Sequence, residues 1–260
     1  MPISNPVRDS GVQSVDRAVS ILQVLARLGA AGVTEIATEL AVHKSTVFRL
    51  LDTLESRGLV EQQVDRGRYQ LGFGIVALAA GAARKYDLTV LSRPICLRLA
   101  EAVRETVNVA IHDGLAVISI DQVIGSATVT SVNWVGQRTP FHATSAGKVF
   151  LAFMPSPRSD AILAGDLEAF TSHTVVDPAR LSMELALTRR RGYATTLEEH
   201  EIGLAAVAAP LRDMDGEVVA AVTASGPTFR INADTLPGIA EHVLAAAADI
   251  SQRNGYPKPG

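Results

Sequence analysis

The chain has 260 residues, 47% of them hydrophobic and 20% charged, with a formal net charge of −3. High hydrophobicity with low net charge excludes a disordered chain, and the slight acidity excludes a uniformly basic nucleic-acid coat. One cysteine, Cys96, excludes an intramolecular disulfide; no apolar run approaches the roughly 18–20 residues that span a bilayer; and residues 1–12 lack the apolar core of a secretory signal. The expectation is a cytoplasmic protein with no membrane partner, built as one large domain or two modest ones. The charge is unevenly shared: residues 1–71 hold 8 basic and 8 acidic side chains, and residues 72–260 hold 16 and 19.

Ser14 is positioned to cap a first helix with Val15, Ala18, Val19, Leu22, Leu25 and Leu28 on one side, closed by Gly29 and Gly32. The i, i+3, i+4, i+7 spacing makes it amphipathic. Thr34 is a candidate cap for a short second helix with Ile36, Ala37 and Leu40 inward. After the break Ala41-Val42-His43, a third helix is expected over about 44–57, burying Val47, Leu50, Leu51 and Leu54, with Gly58 just past its end. Two short strands follow, 59–61 and 63–71, turned by Asp65 and Gly67. Three helices and a hairpin make a winged helix-turn-helix.

The third helix carries the chemistry. Its outer face offers Ser45, Thr46 and Arg49, with Lys44 at its start, and residues 44–51 contain no acid. Recognition helices set such residues on base edges, where Arg pairs with guanine and Ser or Thr takes a base edge or a phosphate. In the wing, Arg66 and Arg68 flank Gly67, within reach of a duplex backbone or minor groove. A protein-binding winged helix with ordinary surface charges is the competing reading.

Residues 72–91 are rich in Ala, Leu and Gly, with Ile75, Leu78, Ala79 and Ala82 on one stripe. They form either a helix packed within its own chain or a linker helix between subunits. Beyond it the pattern predicts a helix over about 88–105 containing Pro94 and a hairpin of 107–112 and 115–121 around Asp113-Gly114. A strand over 127–134, a helix from Thr144 and a helix over 178–191 stopped by Gly192 come next. Strands at 204–211 and 217–225 precede a last helix from Asn232 to Arg253. Hairpins with separate helices imply an α+β domain with an antiparallel sheet.

Ser145-Ala146-Gly147-Lys148 matches the Ser-x-x-Lys acylating motif, but its companions Ser-Asp-Asn and Lys-Thr-Gly are missing. The alternatives are a capped helix lying close on a sheet, or a helix N-terminus offering N–H groups to a carboxylate. The scattered histidines and lone Cys96 give no metal-ligand spacing, so neither metal nor cofactor is expected. Glu198-Glu199-His200-Glu201 reads either as an ion-holding cluster or, more simply, as a solvated loop, and Arg189-Arg190-Arg191 as the polar end of a helix.

Several segments together resemble the IclR family of bacterial transcriptional regulators. They are Ser14-Val15-Asp16-Arg17-Ala18, Lys44-Ser45-Thr46-Val47-Phe48-Arg49-Leu50-Leu51, Gly67-Arg68-Tyr69-Gln70-Leu71-Gly72, His142-Ala143-Thr144-Ser145-Ala146-Gly147-Lys148, Arg190-Arg191-Gly192-Tyr193, Val207-Ala208-Ala209-Pro210 and Ser225-Gly226-Pro227. The resemblance implies a winged helix-turn-helix DNA-binding domain over 13–72, a linker helix over 73–90 that pairs subunits, and a GAF-like effector-binding domain over 91–254. The implied protein is a regulator, most simply a repressor, that binds a double-stranded operator as a homodimer or homotetramer and is no enzyme. The resemblance adds Arg17 to the DNA-binding set of Lys44, Ser45, Thr46, Arg49, Arg66 and Arg68. It places a small organic or aromatic acid against Thr144, Ser145, Ala146, Thr196, Ala206, Thr223 and Ser225. Some members carry an acid near position 196 and a cysteine near 206; this chain has Thr196 and Ala206. Trp134 and Phe141 either line that pocket or fill the core.

Overall fold

The computed structural model describes residues 12–63, 67–83, 88–126 and 132–257. Arg66, the Asp65 turn and most of the strand expected over 127–134 lie outside the described residues. The chain divides into two compact units, Met1–Tyr86 and Asp87–Gly260.

In the first unit α1 (Gln13–Leu28) leads through β1 (Ala30–Gly32) to α2 (Val33–Glu39) and α3 (Lys44–Ser56), then to β2 (Val60–Gln62), β3 (Arg68–Leu71) and α4 (Gly74–Ala83). The strands form an antiparallel sheet in the order β1-β3-β2. Ile21, Val24 and Leu25 of α1 pack on Ile36, Val47, Leu51, Val60 and Tyr69. The face of α1 is therefore rotated from the expected one: Val15 and Val19 are exposed, because the helix meets its core through the 21, 24, 25 row. Ser14 lies inside the first turn rather than at the cap, which is Val12. Likewise Gly32, not Thr34, precedes α2, and Glu35 accepts the Gly32 N–H at 3.4 Å. The strand β1 was not anticipated; three residues between two helices carry too little periodicity to announce a strand.

The second unit is a six-stranded antiparallel sheet in the order β6-β5-β4-β9-β8-β7. Its elements run α5 (Leu88–Val103), β4 (Thr106–His112), β5 (Val117–Val123), β6 (Arg138–Thr139), α6 (Ser145–Phe153), α7 (Ser156–Leu163), α8 (Pro178–Arg191), β7 (Ala194–Leu197), β8 (Leu204–Arg212), β9 (Val218–Pro227) and α9 (Leu236–Arg253). Strand alternation sorts the side chains onto two faces. Val107, Val109, Ala205, Val207, Leu211, Val222 and Ala224 meet Ile95 and Leu99 of α5 and Val243 and Ile250 of α9. Ala110, Ala208 and Ala221 turn the other way, toward Val149 and Phe150 of α6 and Leu181 and Leu185 of α8. Truncating a buried leucine of either layer to alanine costs about 2–5 kcal/mol.

Pro94 lies inside α5. Asn232 caps no helix directly; its Oδ1 accepts from the Asp234 and Thr235 N–H groups, and α9 starts four residues later at Leu236. Strand β7 and helix α7 were unforeseen, β7 because four residues at a sheet edge barely exceed a turn.

Candidate ligand cleft and nucleic-acid interface

The turn between α2 and α3 orients the candidate recognition helix. Ala41 adopts a left-handed φ of 51°, and Val42 N–H donates to the Ala37 carbonyl at 3.0 Å while Ala41 N–H donates to that of Thr38 at 3.2 Å. This double bond pattern closes α2 and starts α3 three residues later. On α3, Lys44, Ser45 and Arg49 are exposed and Thr46 is half-buried, while Val47 and Leu51 anchor the helix from below. The side chains of Lys44 and Arg49 have no hydrogen-bond or ion-pair partner among the described residues. Phe48, to which the sequence assigned no role, is 58% exposed on the same helix. Arg17 is half-buried on α1. Arg68 is engaged internally: its guanidinium donates to the Ala30 carbonyl and pairs with Glu35 at 3.1 Å, tying β3 to β1 and α2. Arg66 lies outside the described residues.

In the second unit the seven residues Thr144, Ser145, Ala146, Thr196, Ala206, Thr223 and Ser225 line one cleft. Register explains the convergence. Thr196 opposes Ala206, Ala206 opposes Ser225, and Thr223 sits between Ala208 and Asn108, so every second residue of four adjacent strands, β7, β8, β9 and β4, faces the same side. Helix α6 lies over that floor. Its N-cap Thr144 accepts the Gly147 N–H at 3.2 Å. The glycine is what permits the close approach, since a Cβ there would lie 2.2 Å from the Phe141 carbonyl oxygen. First-turn N–H groups have no acceptor within their own helix, and Ser145 and Ala146, in the first turn of α6, both line the cleft.

The cleft is open to solvent, and the space within it that water-molecule centres can occupy is about 90 Å³, room for several water molecules. Asn108, Ser119, Trp134, Gln137, Thr139 and His200 also line it. Sequence reasoning missed Asn108 and Ser119, although each is a polar residue flanked by apolar ones in a strand, which is the available signal. Trp134 thus belongs to the cleft, and Phe141 is buried in the core, its ring 5.9 Å from that of His112. No acidic side chain, Lys or Arg lines the cleft among the described residues. Burial holds the His200 imidazole below the ordinary histidine range, opposed by Glu201. Three buried polar atoms of the lining have no hydrogen-bond partner: Ser145 Oγ, Asn108 Oδ1 and Thr223 Oγ1.

Lys148 points away from Ser145 chemistry. Its ammonium donates to Glu184 at 2.6 Å and to both carboxylate oxygens of Glu199 at 2.7 Å, with the Lys148 side chain only 1% exposed. The ammonium is thus engaged by two carboxylates rather than by the serine, and Ser145 Oγ makes no bond to it. The Glu198–Glu201 segment is correspondingly not a solvated loop: Glu199 is buried, its carboxyl pushed up by burial and drawn back down by Lys148. Arg191, at the end of α8, stacks 4.2 Å above the Tyr193 ring and donates to Thr195. Among the described residues no three His, Cys, Asp or Glu side chains gather to hold a metal ion, and no helix is long and apolar enough to cross a membrane.

Comparison with known proteins extends over nearly the whole chain. Residues 80–252 match the family model for the bacterial transcriptional regulator IclR C-terminal domain, and residues 14–64 match that for the IclR helix-turn-helix domain. The HTH-type transcriptional repressor AllR of Escherichia coli (strain K12) is 34% identical over 254 residues, 97% of this chain and 94% of that protein. The HTH-type transcriptional regulator BhcR of Paracoccus denitrificans is 34% identical over 242 residues, covering 93% and 87%. Among solved structures, an IclR homologue from Microbacterium hydrocarbonoxydans complexed with 4-hydroxybenzoate superposes with a TM-score of 0.82 at 26% identity, covering 92% of this chain and 98% of that one. The Thermotoga maritima IclR gives 0.78 at 27% identity, covering 95% and 100%.

Proposed function

This chain belongs to the IclR family of bacterial transcriptional regulators, and from that premise we propose that it is a homodimeric repressor whose hold on an operator is set by a small organic or aromatic acid in the cleft. It is a DNA-binding regulator with an effector-binding C-terminal domain, not an enzyme. The observation that carries the effector reading is the convergence of Thr144, Ser145, Ala146, Thr196, Ala206, Thr223 and Ser225 on one cleft containing unpaired buried polar atoms. A carboxylate fits at the start of α6, where N–H groups and the Ser145 hydroxyl meet it without a cation. The structure of a relative complexed with 4-hydroxybenzoate supports an aromatic acid. The effector shifts the regulator only by binding its DNA-competent and incompetent states with different affinity.

On the DNA side, Arg49 and Lys44 supply the unpaired cations, Ser45 and Thr46 the short hydroxyls, and Arg17 and Arg66 complete the contact set. Arg68 has a smaller part, being held by Glu35 and Ala30. Two copies would read half-sites about one helical turn apart. Replacing Arg49 by Ala tests this: at fixed salt, operator affinity falls by roughly tenfold or more, as loss of a base contact requires, with an unchanged melting temperature. Unchanged affinity, or binding with no sequence preference, favours the protein-partner reading of the winged helix instead.

A further inference from the structure

We infer that the cleft selects an acid that also bears a hydroxyl group, and that the facing pair Asn108 and Thr223 on the sheet floor reads that hydroxyl. The inference rests on the acid-effector reading above and deepens it.

The unpaired atoms of the cleft fall in two places. Ser145 Oγ stands at the start of α6; Asn108 Oδ1 and Thr223 Oγ1 stand on neighbouring strands, directly opposite each other in the β4–β9 register. All three residues are more than nine-tenths buried, at 8%, 1% and 8% exposure for Asn108, Ser145 and Thr223. Residues directly opposed across antiparallel strands hold their side chains about 5 Å apart, so one ligand group can meet both Asn108 and Thr223. A carboxylate seated at α6 answers only the first place, and buried polar atoms left unpaired are costly.

The chemistry of the second place narrows the group that belongs there. The amide oxygen of Asn108 accepts, while the hydroxyl of Thr223 both donates and accepts. A ligand hydroxyl satisfies the pair at once, donating to Asn108 Oδ1 and accepting from Thr223 Oγ1–H. An ammonium there would lack a carboxylate partner and a second carboxylate would lack a cation, because no acidic side chain, Lys or Arg lines the cleft among the described residues, and an unpaired buried charge is expensive. The floor around the pair is built of small residues, Ala110 and Ala206 together with Ser119, Thr196 and Ser225, so a compact carbon body with polar groups at its ends fits its pattern.

The test uses the full-length protein and matched probe pairs that differ by one hydroxyl: 4-hydroxybenzoate with benzoate, and glycolate with acetate. Binding is measured by calorimetric titration and by the rise in melting temperature. In at least one pair the hydroxy acid is expected to bind on the order of 10- to 100-fold more tightly than its partner, as pairing a buried polar group implies. In Asn108→Ala and in Thr223→Val that ratio falls toward one. Thr223→Val keeps the side-chain shape and decides the matter if Asn108→Ala does not fold. Equal affinity within both pairs, or a ratio that survives both variants, overturns the hydroxyl reading and leaves the acid effector standing. Binding of none of the four acids overturns the acid effector itself, and this inference with it.

Discussion

Lys148 is among the largest fully buried side chains described, and it reaches two carboxylates that lie 36 and 51 residues further along the chain. Removing one member of such a group leaves a charge buried without a partner. Lys148→Met should therefore destabilise the protein by about 3–5 kcal/mol, read by urea unfolding, whereas the double variant Lys148→Met with Glu199→Leu should recover much of the loss. A double variant no better than the single one would show that packing, rather than the charge left on Glu199, dominates. At this scale the sequence is partly legible. Ser145 and Lys148 stand out as a motif, and the missing companion motifs already argue against acylation. What Lys148 touches is invisible from its neighbours, because Glu184 comes from α8 and Glu199 from the chain after β7. The same holds for Asn108, whose meaning depends on facing Thr223 from a strand far away in sequence.

The elements show where local rules suffice. Gly58 ends α3 with φ of 66°, its N–H and that of Leu59 returning to the carbonyls of Glu55 and Leu54. Ala41 ends α2 in the same double-bonded form without the glycine. A left-handed alanine carries roughly 1–2 kcal/mol of strain, partly offset by the greater entropy a glycine would lose on folding, about 0.4–1 kcal/mol. Ala41→Gly should thus raise stability by up to about 1 kcal/mol, while Ala41→Val lowers it, as a shift of melting temperature in opposite directions; a fall with glycine would refute the strain. Gly58 and Gly192 were readable as helix ends because glycine announces its conformation, whereas Ala41 announces nothing. Helix α1 teaches the complementary lesson. Its amphipathic period is plain, yet which stripe is buried depends on the helices it meets, and Val15 and Val19 end up exposed.

For the molecule as a whole, the exposed apolar side chains of the first unit carry the assembly argument. Phe73, Val76 and Leu78, at and along α4, are 79%, 54% and 63% exposed in the single chain, more than an isolated surface residue explains when three occur within six positions. On the proposed reading, they are the apolar surface on which two copies pair. Sedimentation should find the protein dimeric, and Leu78→Glu should shift it toward monomer and weaken operator binding, since one chain then holds one half-site. A monomeric parent protein would refute this. The net charge of −3 is compatible with operator binding because the unpaired cations of α3 stand on an otherwise neutral unit, while the acidic excess lies after residue 71.

Sequence alone determined the winged helix-turn-helix, most of the order of hairpins and helices in the larger unit and the basic start of α3, which follow from hydrophobic period, glycine and capping chemistry acting over a few residues; the segments that line the cleft were implied by the family resemblance. The tertiary structure decided which atoms meet. It tied Arg68 to Glu35, gave Lys148 to Glu184 and Glu199, turned Trp134 to the cleft and Phe141 to the core, and left Ser145, Asn108 and Thr223 unpaired in one cleft. Strand register across β7, β8, β9 and β4 brings together residues more than a hundred positions apart, such as Thr106 and Ser225, and no local pattern encodes a partner at that separation.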